Sequence, residues 1–160
     1  MRENYIYIYN NLIELTRNKD LYKDFKAQDI FSDRLTFFLI HFAFFFKTFK
    51  NEENKEILQE IYDFTFRQLE LSIREIGYGD QSINKKMKDY LNLFHDILDK
   101  IHFWENLKND QKNDLLSKYV LNSINPSLLT TYFENYFKKL KKNTLNSYIK
   151  SVINPKYGSS

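Results

Sequence analysis

The sequence predicts an all-α fold, a single compact domain of about seven helices with a buried central helix. Apolar residues recur every three or four positions in almost every segment, which is the helical period. The 160 residues include only 3 glycines and 2 prolines, so few positions interrupt a helix. The alternating Tyr and Ile residues over 5–9 have no partner segment with which to pair. We predict one domain over residues 1–154 and a flexible tail over residues 155–160.

The first half of the chain predicts two amphipathic helices and a buried one. Helical spacing predicts a first helix near residues 6–16 and a short second one near residues 20–25. Asp33 is placed to cap the central helix, which extends to about residue 50. Its stretch over residues 35–46 is almost wholly apolar but shorter than the roughly 20 residues of a membrane span. We therefore expect a helix buried on nearly all sides.

The second half continues with amphipathic helices separated by polar or proline-containing breaks. After a polar loop at residues 51–54, an apolar stripe up to Ile76 predicts a long helix. Asn125-Pro126 marks a break, because proline suits the first turn of a helix but not its interior. The same periodicity predicts four more helices, near residues 83–101, 109–120, 126–140 and 144–153.

The junction between the two longest predicted helices holds two of the three glycines. Gly77 stands where a helix needs a left-handed residue after its end, and Gly79 adds a second permissive position. Asp80 or Ser82 is placed to cap the next helix. Three lysines then occupy the first two turns, where the helix dipole disfavours positive charge: Lys85, Lys86 and Lys88. Either an anionic partner or a solvated helix end in a lysine-rich protein accounts for them.

This junction resembles the signature of the ubiquinol–cytochrome c chaperone family. The matching run is Ser72-Ile73-Arg74-Glu75-Ile76-Gly77-Tyr78-Gly79-Asp80, with Ile73 in place of leucine, followed by the lysine-rich helix. A second block agrees, in Leu21-Tyr22, Asp33-Arg34-Leu35 and Leu39-Ile40-His41-Phe42. The resemblance extends over roughly residues 5–102.

The chain departs from the family pattern at two places. Phe94 is followed by His95-Asp96, where the family usually has a Gly-Arg pair. The turn before the central helix reads Gln28-Asp29-Ile30 and lacks the family's proline and glycine. These departures leave the expected fold unchanged and weaken any functional inference around His95.

The resemblance implies a non-enzymatic assembly chaperone for ubiquinol–cytochrome c reductase. It implies binding of newly made cytochrome b, before haem insertion and subunit joining, by a cytoplasmic protein peripheral to the inner membrane. We expect the client in a groove between the central helix and the helix at residues 83–101. The candidate client- or partner-binding residues are Arg74, Glu75, Tyr78, Asp80, Lys85, Lys86 and Lys88, and the structural signature residues are His41, Gly77 and Gly79. The participation of a small partner subunit is left open.

The net charge of +3 is unevenly distributed. Residues 1–80 carry 11 basic and 14 acidic side chains, residues 81–117 carry 6 and 6, and residues 118–160 carry 7 and 1. The basic end predicts an anionic partner, although lysines also suit a helix C-terminus and solubilise it. An alternative function is therefore a basic helical module that binds ribosomal RNA or an anionic membrane surface.

Cofactor and catalytic chemistry are not predicted. The absence of cysteine excludes disulfides and cysteine-based zinc sites. His95 and His102 are seven residues apart, about 10 Å along a helix, which is too far to share one metal ion. We expect His41, on an apolar helix, to be buried and hydrogen-bonded to a carbonyl or carboxylate, with any haem contact left open. Gly77 to Asp80 lacks the preceding strand and Gly-Lys-Ser/Thr ending of a phosphate loop.

Overall fold

A computed structural model describes residues 4–25 and 31–154. Within these ranges the chain forms seven α-helices and two 3-10 helices and no β-strand, which confirms the all-α prediction. The α-helices are α1 (Tyr5–Thr16), α2 (Phe31–Phe49), α3 (Lys55–Ile76), α4 (Asp80–Lys100), α5 (Asn109–Tyr119), α6 (Pro126–Lys141) and α7 (Leu145–Ile153), and the 3-10 helices are Lys19–Tyr22 and Trp104–Asn106. The tail predicted at residues 155–160 lies outside the described residues.

Helix α2 is the centre of the molecule, as predicted. Every residue from Phe37 to Phe45 is at most 2% exposed. Two and a half helical turns without an exposed residue require neighbours on all sides, and α1, α4 and α6 supply them. Each fully buried phenylalanine contributes about 1.5–3 kcal/mol of hydrophobic stabilisation relative to an exposed one.

Aromatic rings fill the contacts of α2 with α4 and α6. Phe94 of α4 lies with its ring centroid 5.2 Å from Phe42 and 5.7 Å from Phe46. On another side, Phe44 stacks on Phe133 of α6 at 5.7 Å. Because these rings occupy the space between α2 and α4, the prediction of a client groove there is wrong.

The start of α2 differs from the prediction. The helix already includes Phe31, so Asp33 lies in its first turn and is not its cap. The Asp33 carboxylate instead accepts a hydrogen bond from Asn122 Nδ2 at 2.9 Å, which joins α2 to the α5–α6 connection. The predicted turn Gln28-Asp29-Ile30 lies outside the described residues. The helix predicted at residues 20–25 is a 3-10 helix that ends at Tyr22.

The last two helices begin at well-defined caps. The Asn125 side chain accepts from the Ser127 backbone N–H ahead of α6, which has Pro126 in its first turn as predicted. Thr144 and Ser147 form a reciprocal capping box at the start of α7. Tyr148 of α7 donates to Asn11 of α1 at 2.6 Å, so α7 is attached to the first helix of the chain.

Candidate functional site

The connection between α3 and α4 turns sharply at Gly77. This residue has φ 107°, a left-handed conformation, and its N–H donates to the Arg74 carbonyl at 3.0 Å. A Cβ added at Gly77 would meet no atom within 4 Å, so the backbone angle alone favours glycine. The predicted helix-ending role of Gly77 is confirmed.

Gly79 has a different environment. Its backbone is extended, with φ −74° and ψ 161°, a conformation that any residue adopts. A Cβ at this position would also meet nothing within 4 Å. The described structure therefore contains no steric reason for glycine at position 79, contrary to the permissive role expected from the sequence.

Arg74 and Asp80 form an ion pair across the loop. Asp80 is the first residue of α4, and neither its side chain nor that of Ser82 caps the helix, which corrects the capping prediction. Its carboxylate accepts a hydrogen bond from Arg74 Nη1 at 2.5 Å, and Glu70 lies 3.5 Å from Arg74 Nη2. The bond to Asp80 is the main reason that the pKa of Arg74 is raised. The pair joins the end of α3 to the start of α4.

Residues 74–82, hereafter the signature corner, are all exposed. Ile73 and Ile83 on either side are fully buried and fix the corner to the core. Within the corner, Ile76 is 58% exposed and Tyr78 is 39% exposed. The corner therefore presents apolar side chains to solvent from a well-anchored position. Glu75 is also exposed there.

The three lysines that follow the corner carry uncompensated charge. Lys86 Nζ lies 4.6 Å from the centroid of the Tyr78 ring, a cation–π distance, and Lys85 and Lys88 are exposed. Within the described residues, no carboxylate is at ion-pair distance from any of the three. The structure thus brings Tyr78 and Lys86 together, and Lys85 and Lys88 add two exposed positive charges in the same turns of α4.

A hydrogen bond between side chains also connects the signature run to α1. The hydroxyls of Tyr9 and Ser72 are 3.0 Å apart. The pKa of Tyr9 is raised, mainly by burial, with a smaller contribution from the negative charge of Glu75. Glu75 is therefore electrostatically coupled to α1, although its side chain remains exposed.

His41 is enclosed in the core and uses both ring nitrogens. Nδ1 donates to the Phe37 carbonyl at 2.6 Å, and Nε2 accepts from the Tyr132 hydroxyl at 2.7 Å. Burial lowers the pKa of His41 to about 4, so the ring is neutral at neutral pH. This confirms the expected buried, carbonyl-bonded histidine. Among the described residues, no cluster of three His, Asp or Glu side chains is arranged to hold a metal ion.

Apart from Lys118 on α5, the described lysines of the basic end lie on α6, directly after it and on α7. The sequence shows their charge but not the site that they form. Lys139 of α6, Lys142 directly after it and Lys150 of α7 line one cleft, whereas Lys138 and Lys141 lie outside it. The three-residue spacing of Lys139 and Lys142 already indicates a common helix face. The sequence pattern could not show that α1 forms the opposite wall, because α1 lies at the other end of the chain.

None of the described helices has the length and apolar composition needed to cross a bilayer. Comparison with known proteins finds a family and a solved structure. The family model described as "Ubiquinol-cytochrome C chaperone" matches residues 23–125, including the signature corner. The crystal structure of the Cbp3 homolog from Brucella abortus has a TM-score of 0.72 and 19% sequence identity, over 92% of this chain and 85% of that chain. At this identity the likeness shows the fold alone. A search of curated proteins gave no match.

Proposed function

The chain belongs to the ubiquinol–cytochrome c chaperone family and is a non-enzymatic assembly factor, and on this premise we propose that it binds newly made cytochrome b through the signature corner. In this proposal the chaperone holds its client before haem insertion and subunit joining. It acts in the cytoplasm, peripheral to the inner membrane.

The exposure of Ile76 and Tyr78 is the observation that carries the proposal. Both side chains lie in solvent although the neighbouring Ile73 and Ile83 are fully buried. Exposed apolar residues on a well-anchored turn suit an apolar segment of a membrane protein before that segment finds its final neighbours. The uncompensated lysines beside them suit acidic groups that flank such a segment.

The glycine at position 79 is a second argument for client binding at the signature corner. Nothing within the described chain requires glycine there, yet the family signature that the chain resembles contains it. A position without a side chain allows another backbone to approach closely. We therefore place a direct client contact at Gly79, next to Tyr78.

Co-purification of cytochrome b with the tagged protein from a membrane-containing lysate tests the proposal. Reversing the charges of Lys85, Lys86 and Lys88 to glutamate is expected to reduce recovery of cytochrome b at least tenfold, because each reversal replaces attraction by repulsion. The matched control reverses three exposed lysines elsewhere, Lys50, Lys55 and Lys118, and is expected to retain recovery.

Three results distinguish the parts of this proposal. Loss of cytochrome b only in the corner variant supports both the identity of the client and the signature corner as its binding surface. Equal recovery from both variants would show that the client does not bind at these lysines. Absence of cytochrome b from the unmodified protein's eluate would contradict the client itself.

The lysines at the end of α6 favour a second candidate function, binding of ribosomal RNA. Lys138, Lys139, Lys141 and Lys142 are all exposed within the last turn or just after it. Neutralising several phosphates releases counterions, so the affinity for RNA should fall steeply as salt rises. RNA binding that is unchanged between low and physiological salt would contradict this alternative.

A further inference from the structure

A half-open cleft of about 1530 Å³ lies between α1, the 3-10 helix Lys19–Tyr22, α6 and α7. We propose that this cleft binds an anionic phospholipid, with the phosphate of the headgroup against its lysines. The helices that form the cleft do not include α3 and α4, which the signature corner connects. The proposal therefore does not depend on the identity of the client.

The walls of the cleft are held together by contacts between distant parts of the chain. The Tyr148 hydroxyl of α7 donates to Asn11 Oδ1 of α1 at 2.6 Å, and both residues line the cleft. Tyr132 of α6, another lining residue, donates to His41 of the central helix at 2.7 Å. The cleft is thus formed by the packed helices themselves.

The charge of the cleft is positive and largely uncompensated. Three lysines line it, Lys139 in α6, Lys142 directly after α6 and Lys150 in α7. Asp20 is the acidic residue of the lining, and its carboxylate pairs with Lys23 at 2.8 Å. No carboxylate in the described ranges lies at ion-pair distance from the three lysines. Such a surface attracts an anion.

Apolar residues lie beside these charges. Leu15 of α1 and Val152 and Ile153 of α7 line the same cleft and are half-buried. A cleft of this size accommodates a headgroup and part of an acyl chain, since drug-sized ligands occupy about 300–1,000 Å³. Apolar lining next to cationic groups fits an amphiphile better than free phosphate, which has no apolar part.

The aromatic residues of the cleft argue against RNA as its occupant. Tyr136 and Tyr148 line the cleft but are each only 8% exposed. Single-stranded RNA is usually held by stacking several bases on open ring faces. Of the three lining tyrosines only Tyr132 is half-buried, and its hydroxyl is bonded to His41, so the cleft has no series of open rings. The exposed lysines beside the half-buried apolar lining together match a lipid.

Vesicle sedimentation with pairs of lysine variants tests the proposal. The full chain is expected to sediment with vesicles of about one third phosphatidylglycerol in phosphatidylcholine, and not with phosphatidylcholine alone, at about 0.15 M salt. The variant Lys139→Gln with Lys142→Gln is expected to bind the anionic vesicles about 30-fold more weakly, and Lys150→Gln about fivefold more weakly.

The control removes the same number of positive charges, from the last turn of α6. Lys138→Gln with Lys141→Gln removes two exposed lysines that lie outside the cleft, and the affinity should fall by at most about threefold. Val152→Ser removes apolar lining without changing charge and is expected to weaken vesicle binding roughly fivefold. Far-UV circular dichroism of each variant checks that the helices are retained.

Four outcomes would overturn the proposal. Equal losses in the two lysine pairs would show diffuse attraction, and no sedimentation with anionic vesicles would show no lipid binding. Inorganic phosphate that competes fully, with Val152→Ser unchanged, would identify a phosphate site. Binding of a single-stranded RNA oligomer that is lost in the Lys139, Lys142 pair, with vesicle binding retained, would assign the cleft to RNA.

Discussion

At Gly77 the backbone has φ 107°, whereas at Gly79 it is extended, and a Cβ would meet no atom at either position. Gly77→Ala is therefore expected to lower the free energy of unfolding by about 1 kcal/mol. Alanine is strained in the left-handed conformation, and this strain exceeds the stabilisation that alanine provides by making the unfolded chain less flexible. Gly79→Ala is expected to leave it within about 0.5 kcal/mol. Urea unfolding of the two variants measures both values.

The same pair separates fold from function at the signature corner. Under the proposed function, Gly79→Ala should reduce recovery of cytochrome b although its stability is retained. If Gly79→Ala destabilised the protein as much as Gly77→Ala, the interpretation of Gly79 as a contact residue would fail.

His41 gives the protein a pH-dependent stability. Its folded pKa of about 4 is below the ordinary value of 6.5, so the unfolded chain takes up a proton in this range while the folded chain does not. The stabilisation from neutral His41 is complete above the pKa that this residue has in the unfolded chain. It is lost as the pH falls toward the pKa in the folded chain. Lowering the pH from about 7 to about 5 should therefore reduce the free energy of unfolding by about 2 kcal/mol through His41.

Urea unfolding at the two pH values measures this effect. His41→Gln is expected to flatten the dependence, because the titrating group is gone. The control, His102→Gln, changes an exposed histidine and should leave the dependence as it is. An unchanged slope in His41→Gln would show that other groups are responsible.

At the scale of the elements, α2 lies at the centre of the core. Phe44 is fully buried, stacks on Phe133 at 5.7 Å and meets Trp104 at 5.1 Å. Phe44→Ala is expected to lower the free energy of unfolding by about 3–5 kcal/mol through lost burial and a cavity. Phe103, which is 62% exposed, provides the control. Phe103→Ala should change stability by at most about 0.5 kcal/mol, and equal losses would contradict the assigned burial.

The helices could be predicted because their apolar spacing is local information. The burial of α2 followed from a run without a polar face, and the end of α3 followed from Gly77. The predicted helix starts were wrong at α2 and α4, since aspartate is acceptable either as a cap or within a first turn, as at Asp33 and Asp80. Asp80 lies in that turn, where its carboxylate pairs with Arg74, a contact that periodicity does not encode.

Contacts between elements could not be predicted in the same way. A helical period shows which face is buried, but it does not identify the neighbour. The expected groove between α2 and α4 was wrong because Phe94 inserts against Phe42 and Phe46. The exposure of Ile76 and Tyr78 was equally hidden, since an apolar residue in a sequence does not show whether a partner within the chain covers it.

At the scale of the whole molecule, one cluster of buried residues extends from Tyr5 to Ile149. We therefore expect the chain to unfold in one cooperative transition. Trp104 is the only tryptophan and is fully buried, so its fluorescence reports on the core. Unfolding curves from Trp104 fluorescence and far-UV circular dichroism should coincide, whereas two separate midpoints would indicate independently folding parts.

The anchoring of the signature corner has a consequence for the release of a client. Buried Ile73 and Ile83, the turn at Gly77 and the Arg74–Asp80 pair hold the corner in one shape before any partner arrives. A preformed surface loses little conformational entropy on association, so a small apolar contact is sufficient for recognition. Under the proposed function, a client held through so few apolar residues would dissociate fast and would leave when its final subunits offer a larger interface.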